Sequence, residues 1–226
     1  MLVELKDLKK SFTTGDVQTT VLSGIDYQLK PSEMCLVMGP SGCGKTTLLN
    51  ILGGIDAATS GNVIVDGVDI TLLSSKELVQ YRRDKVGFIF QFYNLLPTLT
   101  ALENVKIGIE HVLRNNGEAD VRAREYLKMV GLGDKLTHYP QQLSAGQQQR
   151  VAIARALSKK PTLILADEPT GNLDEDTGKE ILDLMTKLNK ELGITFVIVT
   201  HDVELRSYAT QVLQLNHGKL VKAGSG

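Results

Sequence analysis

One segment of the chain combines residue types that together bind phosphate groups, Gly39-Pro40-Ser41-Gly42-Cys43-Gly44-Lys45-Thr46. Glycines allow backbone N–H groups to wrap around phosphates, and a helix that begins at such a loop adds the positive potential of its N-terminus. The lysine of this pattern reaches the β- and γ-phosphates of a nucleotide. The alternative is a flexible glycine turn, which an apolar strand before the loop and a helix after it disfavour.

The loop therefore predicts a site for ATP or a similar nucleotide together with Mg²⁺. The residues expected to contact the nucleotide lie in one run: Gly39, Pro40, Ser41, Gly42, Cys43, Gly44, Lys45, Thr46 and Thr47. Within this run, Lys45 is the candidate catalytic cation and the Thr46 hydroxyl the candidate metal ligand. Because Cys43 lies inside the loop, bound nucleotide is expected to shield its thiol.

Two acids, Asp167 and Glu168, follow the apolar run Leu163–Ala166. In a parallel sheet of this kind, a carboxylate at the C-terminal end of a strand lies beside the phosphate loop. We predict that Asp167 holds Mg²⁺, directly or through water, and that Glu168 is the base that polarises the attacking water. The alternative is a solvated acidic turn leading into Pro169, which the presence of the phosphate loop disfavours.

These residues require a scaffold that brings them together. Met34–Met38 predicts a buried strand that leads into the phosphate loop, and Lys45–Leu52 predicts a helix. Helical stretches separate most of the later predicted strands, which are Val63–Val65, Val86–Phe90, Leu163–Ala166 and Thr195–Thr200. This alternation is typical of a parallel sheet covered by helices. The predicted fold class is therefore α/β, with a P-loop NTPase (RecA-like) core and a mainly parallel sheet.

Two parts of the chain depart from this alternation. Leu2 to Lys30 alternates apolar and polar residues around a turn at Thr13 to Asp16, which predicts an antiparallel β subdomain. From about Thr98 to Lys159 the pattern is helical and contains no convincing strand; the predicted helices are Ala101–Leu113, Ala119–Met129 and Gln147–Leu157. We predict a single domain, 1–226, in which a helical subdomain, 98–159, is inserted between the core segments 1–97 and 160–226.

The C-terminal region predicts one more element and a tail. Val212 to Val221 has the pattern of a hairpin, with Asn216 to Gly218 in the turn. The last three residues, Gly224-Ser225-Gly226, are typical of a flexible tail.

Composition excludes several classes of protein. With 226 residues, 42% hydrophobic and 23% charged, the chain has the composition of one soluble globular domain. A formal net charge of −1 argues against a nucleic-acid partner, which normally requires a basic excess. The first residues do not form a secretory signal, and the longest apolar runs are strand-sized. We therefore expect a cytoplasmic protein whose two cysteines are free thiols, and any membrane part must come from a partner.

A second motif, Leu143-Ser144-Ala145-Gly146-Gln147-Gln148-Gln149-Arg150, narrows the function. With it, the chain resembles the ATP-binding-cassette (ABC) ATPases over nearly its whole length. The resemblance implies that Ser144, Gly146 and Gln147 contact an ATP held by a second copy of the chain, so that ATP binding produces a homodimer. Most members have glycine at the position of Ala145. Alanine lacks the access of glycine to positive φ, but Ser144 and Gly146 are kept, so we expect function to survive, with the rate and not the mechanism open to change.

The resemblance also assigns roles to single residues elsewhere in the chain. It implies that Gln91 senses Mg²⁺ and the attacking water, that Asp174 lies at the dimer interface and that His201 contacts the γ-phosphate. Taken alone, His201-Asp202 would more often be a capping pair at the start of a helix. Phe12 resembles the aromatic residue that stacks on adenine, although an isolated phenylalanine is usually part of a core.

The segment Gln91–Val105 and the loop Gly171-Asn172-Leu173-Asp174 resemble the lipoprotein-releasing and macrolide-exporting (LolD/MacB-like) group. The resemblance implies an integral-membrane permease as partner, ATP-driven export, extraction or mechanical work, and a location on the inner face of the cell membrane. The apolar residues after Gln91 predict a docking site for a cytoplasmic helix of that permease. The alternative for these residues is a small satellite core beneath the helical subdomain.

Two other classes of ABC protein remain as alternatives. A regulatory ATPase of a membrane signalling complex, such as the cell-division type, would use the same ATPase residues without moving a substrate. The second class is a soluble ABC protein of DNA repair or translation. A repair ATPase would need a long coiled coil between the phosphate loop and Leu143, and a translation factor would carry two cassettes in tandem. The chain has neither of these features.

Overall fold

A six-stranded sheet lies at the centre of the computed structural model, which describes residues 1–15, 17–109 and 116–222. Its strands lie in the order β10-β9-β3-β8-β7-β6, and all neighbours are parallel except the hairpin pair β9 and β10. The strands are β3 (Met34–Met38), β6 (Val86–Phe90), β7 (Leu163–Asp167), β8 (Thr195–Thr200), β9 (Gln211–Asn216) and β10 (Lys219–Lys222). The predicted α/β fold with a mainly parallel sheet is confirmed.

The strands β3, β6, β7 and β8 are mostly apolar because both faces of the sheet are covered there. Strand β8 shows the alternation: Phe196 and Ile198 pack into one apolar cluster, and Val197 and Val199 pack into the other. Each residue of β8 is buried. A charged side chain inside such a strand would be costly to bury, and the one charged residue of these four strands, Asp167, stands at the end of β7.

A second sheet of four antiparallel strands lies in the order β2-β1-β4-β5. Its strands are β1 (Val3–Thr14), β2 (Val17–Leu29), β4 (Ser60–Val65) and β5 (Val68–Asp69). Strands β1 and β2 pair from Val3 opposite Leu29 to Thr14 opposite Val17. The apolar face of this sheet packs on the same cluster that covers one side of β3, so the predicted antiparallel subdomain is confirmed.

Six α-helices are described: α1 (Lys45–Leu52), α2 (Ser75–Asp84), α3 (Ala101–Lys106), α4 (Asn116–Met129), α5 (Ala145–Leu157) and α6 (Glu175–Leu192). Helices α2, α3 and α5 begin at capping boxes, in which a serine or threonine and a residue three positions later satisfy each other's backbone N–H groups. Helix α5 begins two residues before the predicted Gln147 because Ser144 is its N-cap. Helix α3 ends at Lys106 and residues 107–109 form a turn, so the predicted helix Ala101–Leu113 is too long. Residues 110–113 of that prediction lie outside the described residues.

The described residues between 98 and 159 contain helices and short 3-10 or turn segments, with no strand. Helices α3, α4 and α5 pack on one another through side chains that are fully buried, among them Val105, Leu127 and Ile153. The boundaries of this helical region at 98 and 159 stay a prediction. The predicted turn residue Asp16 and the predicted tail 224–226 also lie outside the described residues.

The parallel pairing of β3, β8, β7 and β6 places their C-terminal ends along one edge of the sheet. The phosphate loop follows β3, Glu168 follows β7, His201 follows β8 and Gln91 follows β6. Topology alone therefore gathers four separate segments at one place. Among the described residues, no helix is both long and apolar enough to cross a membrane.

Candidate nucleotide site

The phosphate loop opens α1 in a conformation that requires glycine. Gly44 is the N-cap of α1 and has φ 106°, a backbone conformation that other residues rarely adopt. A methyl group at Gly44 would also lie 2.7 Å from Cγ1 of Val21 on β2. A side chain at this position is therefore excluded by steric overlap as well as by the backbone conformation. The N-terminus of α1 therefore points its free N–H groups into the loop, as an anion site requires.

Lys45 is buried, with 9% of its surface exposed, and its side chain turns back into the loop. Its Nζ donates to the carbonyl oxygen of Gly39 at 2.8 Å and to that of Pro40 at 3.0 Å. The ammonium group is thus held among backbone groups of the loop, where it can meet an anion without a large rearrangement. This position agrees with the role predicted for it.

The acid at the end of β7 lies against the first turn of α1. Thr46 Oγ1 donates to Asp167 Oδ2 at 3.1 Å. Burial raises the pKa of Asp167 above its ordinary value, with a further increase from the charge of Glu168, whereas the Thr46 hydrogen bond and Lys45 act in the opposite direction. A buried carboxylate of this kind gains stability from a nearby cation. Thr46 and Asp167, predicted as metal ligands, are therefore neighbours.

Glu168 is held at both carboxylate oxygens. Thr200 Oγ1 donates to Oε2 at 2.8 Å, and His201 Nδ1 lies 2.9 Å from Oε1. The Glu168 side chain is 16% exposed, whereas that of His201 is 73% exposed. Glu168 itself has φ 46°, a strained conformation for a residue with a side chain. The structure thus brings together the predicted base and His201, the residue predicted to contact the γ-phosphate.

His201 is followed by a residue that does cap a backbone group. Asp202 Oδ1 accepts a hydrogen bond from the N–H of Glu204 at 2.9 Å, at the start of the 3-10 helix Glu204–Tyr208. The N-cap of that helix is Val203, however, so the alternative that places Asp202 at the N-cap is wrong. The ring of His201 contacts Glu168 instead.

Gln91 lies at the end of β6 and contacts the segment that follows the two acids. Its Nε2 donates to Asn172 Oδ1 at 3.4 Å, and Asn172 Nδ2 donates to the Gln91 carbonyl at 2.8 Å. Together with the phosphate loop and the acids, Gln91 lines a cleft of about 340 Å³. The residues that line it are Val21, Ser41, Gly42, Gly44, Lys45, Thr46, Thr47, Gln91, Asp167 and Glu168.

The side chain of Cys43 does not face this cleft. It packs against the apolar cluster beneath the antiparallel sheet, beside the position where a Cβ of Gly39 would lie. Shielding of this thiol by bound nucleotide stays a prediction. Shielding of Cys43 by nucleotide, if measured, would have to act through the backbone of the loop.

The motif around Ser144 forms the N-terminus of α5. Ser144 Oγ accepts a hydrogen bond from the N–H of Gln147 at 3.3 Å, and Gln147 Oε1 accepts one from the N–H of Ser144 at 3.0 Å. Because a hydroxyl oxygen that accepts keeps its own hydrogen, Ser144 can still donate to an anion. Ser144, Gly146 and Gln147 do not line the cleft of their own chain.

Gly146 and Asp174 meet through the first turn of α6. A side chain at position 146 would collide with Cγ2 of Thr177, so close packing explains the need for glycine there. Asp174 is the N-cap of α6 and accepts from the N–H of Thr177 at 3.0 Å. This backbone hydrogen bond holds the pKa of Asp174 below its ordinary value. The two residues predicted at a dimer interface thus share one contact, Thr177.

Ala145 takes the place of a glycine without strain. It is exposed, it is the first residue of α5, and it is not among the residues with positive φ. The position therefore does not need the positive φ that glycine allows. We expect Ala145→Gly to leave the rate of ATP hydrolysis within roughly twofold and to lower the free energy of unfolding by up to about 1 kcal/mol, because glycine is the poorer helix former.

Steady-state ATP hydrolysis and urea unfolding of Ala145→Gly test this prediction, with Gly146→Ala as the matched comparison. Gly146→Ala should be the more damaging change because its methyl group meets Thr177. A rise of several-fold in the rate of Ala145→Gly would show that alanine limits the enzyme at this position.

Phe12, the predicted adenine-stacking residue, lies on β1 and outside the cleft. It is 43% exposed, and Lys10 Nζ lies 4.6 Å from the centroid of its ring, at a distance typical of a cation–π contact. An exposed ring of this kind is not a core residue, so the alternative interpretation does not hold. Stacking on adenine stays a prediction.

Several residues of the site were not found from the sequence. Val21, on β2, packs against Gly44 of the phosphate loop, and Thr200 donates a hydrogen bond to the Glu168 carboxylate. Thr200 did carry a signal, since a polar residue ends an apolar strand directly before His201. Val21 carried none, because its contact with Gly44 joins segments that are distant in the sequence.

A phosphate loop between a buried strand and a helix, with an acid at the end of a neighbouring parallel strand, defines a P-loop nucleotide hydrolase. Residues 22–171 match the ABC transporter family. An ABC transporter ATP-binding protein of Thermotoga maritima is 48% identical over 219 residues, which cover 97% of this chain and 93% of that protein. The macrolide export ATP-binding/permease protein MacB of Marinobacter nauticus is 45% identical over 221 residues, 98% of this chain but 34% of that longer protein.

Comparison with solved structures also identifies an ATP-binding cassette. A dimeric structure of the ATP-binding cassette MJ0796, in a post-hydrolysis state bound to ADP and Pi, has a TM-score of 0.88 and 44% identity. The match covers 97% of this chain and 98% of that one. A protein named MJ0796 comes from Methanocaldococcus jannaschii. The chain belongs to the ABC transporter family and is an ATPase of that family, similar to the LolD/MacB-like group.

Proposed function

We propose that this ABC ATPase is the ATP-hydrolysing subunit that drives a separate membrane permease of the LolD/MacB-like type. The observation that carries the proposal is a single cleft lined by Lys45, Asp167, Glu168 and Gln91, which come from three separate segments of the chain. In this proposal the helical subdomain is 98–159, and the core consists of 1–97 and 160–226. The protein works on the inner face of the cell membrane, bound there through the permease.

The residues at the N-terminus of α1 provide suitable ligands for a magnesium ion. Thr46 and Asp167 offer a hydroxyl and a carboxylate oxygen 3.1 Å apart, which is the ligand type that Mg²⁺ prefers. We propose that Thr46, Asp167 and the side-chain oxygen of Gln91 hold the ion. When bound, it supplies positive charge that neutralises the phosphate oxygens. Gly39 to Thr47 hold the phosphates of ATP, and Phe12 stacks on its adenine.

Glu168 is the proposed general base. Its two hydrogen bonds fix the carboxylate, and a fixed base needs no reorganisation when it accepts a proton from water. His201 holds Glu168 through Nδ1, and its exposed ring is free to reach a phosphate oxygen with its other nitrogen. Lys45 stabilises the charge that develops on the transferred phosphoryl group.

The proposed active form is a homodimer with two ATP molecules between its subunits. Ser144, Gly146 and Gln147 stand at the N-terminus of α5, where the helix dipole favours an anion, yet they do not line the cleft of their own chain. A two-fold symmetric pair would bring them to the ATP of the other copy, with Asp174 at the same interface. The dimeric structure of the related cassette MJ0796 supports this arrangement.

The loop from Gln91 to Pro97, here called the apolar loop, is the proposed docking site for the permease. Phe92 is 72% exposed and Leu96 is 43% exposed, whereas Leu95 packs against the core. Exposed apolar side chains on a loop that begins at the cleft suit a partner helix. The permease portion of the longer relative MacB supports a partner of this kind.

We expect Phe92→Asp and Leu96→Asp to reduce recovery of the tagged protein with the membranes of its own host by roughly tenfold or more, because a charge would be buried at the contact. Leu72→Asp is the matched control, since Leu72 is 79% exposed and lies outside the apolar loop. Quantitative immunoblotting of membrane fractions measures the change. Equal recovery of native and variant proteins would contradict the docking site.

A regulatory ATPase of a membrane signalling complex is the second candidate. It would use the same cleft and the same docking loop. Cross-linking from position 92, followed by mass spectrometry, distinguishes the two functions by the partner that is captured. A permease with an extracytoplasmic substrate-handling region supports transport, whereas a membrane protein that regulates cell-wall enzymes supports signalling.

A further inference from the structure

Arg155, in the last turn of α5, reaches from the helical region to the apolar loop. Its Nη1 donates to the carbonyl oxygen of Asn94 at 2.6 Å, and its Nη2 donates to that of Tyr93 at 2.7 Å. Burial lowers the pKa of this guanidinium, which nevertheless stays charged at neutral pH. A half-buried charge is thus used to bind two consecutive main-chain carbonyls.

Those two carbonyls belong to a strained piece of backbone. Tyr93 has φ 59° and Asn94 has φ 49°, so two adjacent residues with side chains occupy the left-handed region. Such residues keep this conformation only where their surroundings enforce it. The forked, charge-assisted hydrogen bonds of Arg155 supply such a constraint, because they need both carbonyls on the same side of the loop.

The apolar loop and α5 are joined to the catalytic segment by separate contacts. Gln91, at the start of the loop, exchanges hydrogen bonds with Asn172. Gln149, fully buried on α5, donates through Nε2 to the carbonyl of Pro169 at 2.6 Å, directly after Glu168. The loop, the helix and the segment after β7 therefore form a closed set of contacts, in which Arg155 makes the bonds between loop and helix.

We propose that Arg155 is a positioning residue that holds the apolar loop in its left-handed conformation, and thereby keeps Gln91 at the cleft and binds the loop to α5. The inference rests on the function proposed for Gln91 and for this loop. Because the first turn of α5 carries Gly146, a displacement of the loop by a membrane partner is passed along α5 to the dimer interface.

The first test is kinetic. Arg155→Gln should lower kcat for ATP hydrolysis by roughly 3- to 30-fold, the range seen for residues that couple sites without touching ligand. KM for ATP should change less than about twofold, because the phosphate loop is not altered. The kcat of Arg155→Lys should lie between those of Arg155→Gln and the native protein, since lysine keeps the charge but cannot donate to both carbonyls in the planar geometry of a guanidinium. Arg82→Gln is the control, because Arg82 also binds a main-chain carbonyl, that of Gly54, outside the loop.

The second test is rescue. Glycine adopts positive φ freely, so Asn94→Gly reduces the need for a side chain that enforces this conformation. Added to Arg155→Gln, it should restore most of the lost kcat. A role of Arg155 in general stability predicts no such rescue. A loss of kcat that persists unchanged in the double variant would overturn the proposal.

The third test observes the loop without ATP. The chain contains no tryptophan, so Phe92→Trp introduces a unique fluorescent reporter at an exposed position. In this reporter protein, Arg155→Gln or the milder Arg155→Lys should increase acrylamide quenching, Asn94→Gly should reverse the increase, and Arg82→Gln should have no effect. Because the measurement needs no nucleotide, it stays valid even if the proposed catalytic roles fail.

Two results would overturn the proposal through this reporter. The first is unchanged quenching in both Arg155 variants. The second is increased quenching with unchanged kcat, since the loop would then be released without any effect on the site. Absence of ATP hydrolysis in the native protein would instead contradict the proposed function alone.

Discussion

Lys45→Ala is expected to reduce ATP hydrolysis by roughly 10²–10³-fold or more, because it removes the charge placed at the transferred phosphoryl group. The ammonium group is held in the loop by the carbonyl oxygens of Gly39 and Pro40, so no other lysine can take its place without rebuilding the loop. The variant should also bind ATP more weakly. Phosphate release and titration with a fluorescent ATP analogue measure the two effects.

Lys85→Ala is the matched control for Lys45→Ala. Lys85 is a surface residue that pairs with Asp66, and its loss should leave the rate nearly unchanged. Removal of Mg²⁺ with EDTA should lower the native rate to the level of Lys45→Ala. Equal rates for native protein and Lys45→Ala, in preparations free of other ATPases, would contradict the assignment of this loop.

Glu168→Gln is expected to lower kcat by roughly 10²–10⁴-fold, the usual contribution of a general base. An amide has nearly the shape of the carboxylate and can still accept from Thr200 or His201, but it cannot take a proton from water. ATP binding should therefore be kept. Glu125→Gln, an exposed substitution on α4, is the control and should leave kcat unchanged. A Glu168→Gln protein that hydrolyses ATP at half the native rate would exclude Glu168 as the base.

Strands and helices with strong local signals could be predicted from the sequence. Met34–Met38, Lys45–Leu52 and Thr195–Thr200 have the predicted limits. The beginning of α5 was predicted two residues late. The reason is that Ser144 was interpreted only as a contact to ATP, whereas the structure shows it as the N-cap of α5.

Contacts between distant segments could not be predicted in the same way. Glu168 and Thr200 are 32 residues apart, and Arg155 lies 61 and 62 residues from the two carbonyls that it binds. Nothing local marks such pairs, since each depends on which strands become neighbours. The motifs give the types of residue at the site, whereas the order of strands in the sheet decides which of them meet.

Cys43 illustrates the same limit within a motif. The sequence places it in the phosphate loop, but it does not indicate the direction of its side chain. The structure turns the thiol toward the apolar cluster, away from the cleft. A residue in a binding loop can thus contribute its backbone to the site while its side chain belongs to the core.

The central claim is that two copies of the chain share their ATP molecules, and the mass of Glu168→Gln in solution tests it most directly. Size-exclusion chromatography with light scattering should give a monomer without nucleotide and a dimer with saturating Mg-ATP. Addition of Ser144→Arg should return the protein to a monomer, because bulk and charge would stand where the second copy holds its ATP. A Glu168→Gln protein that binds Mg-ATP but stays monomeric would contradict the shared site, as would a dimer that Ser144→Arg leaves intact.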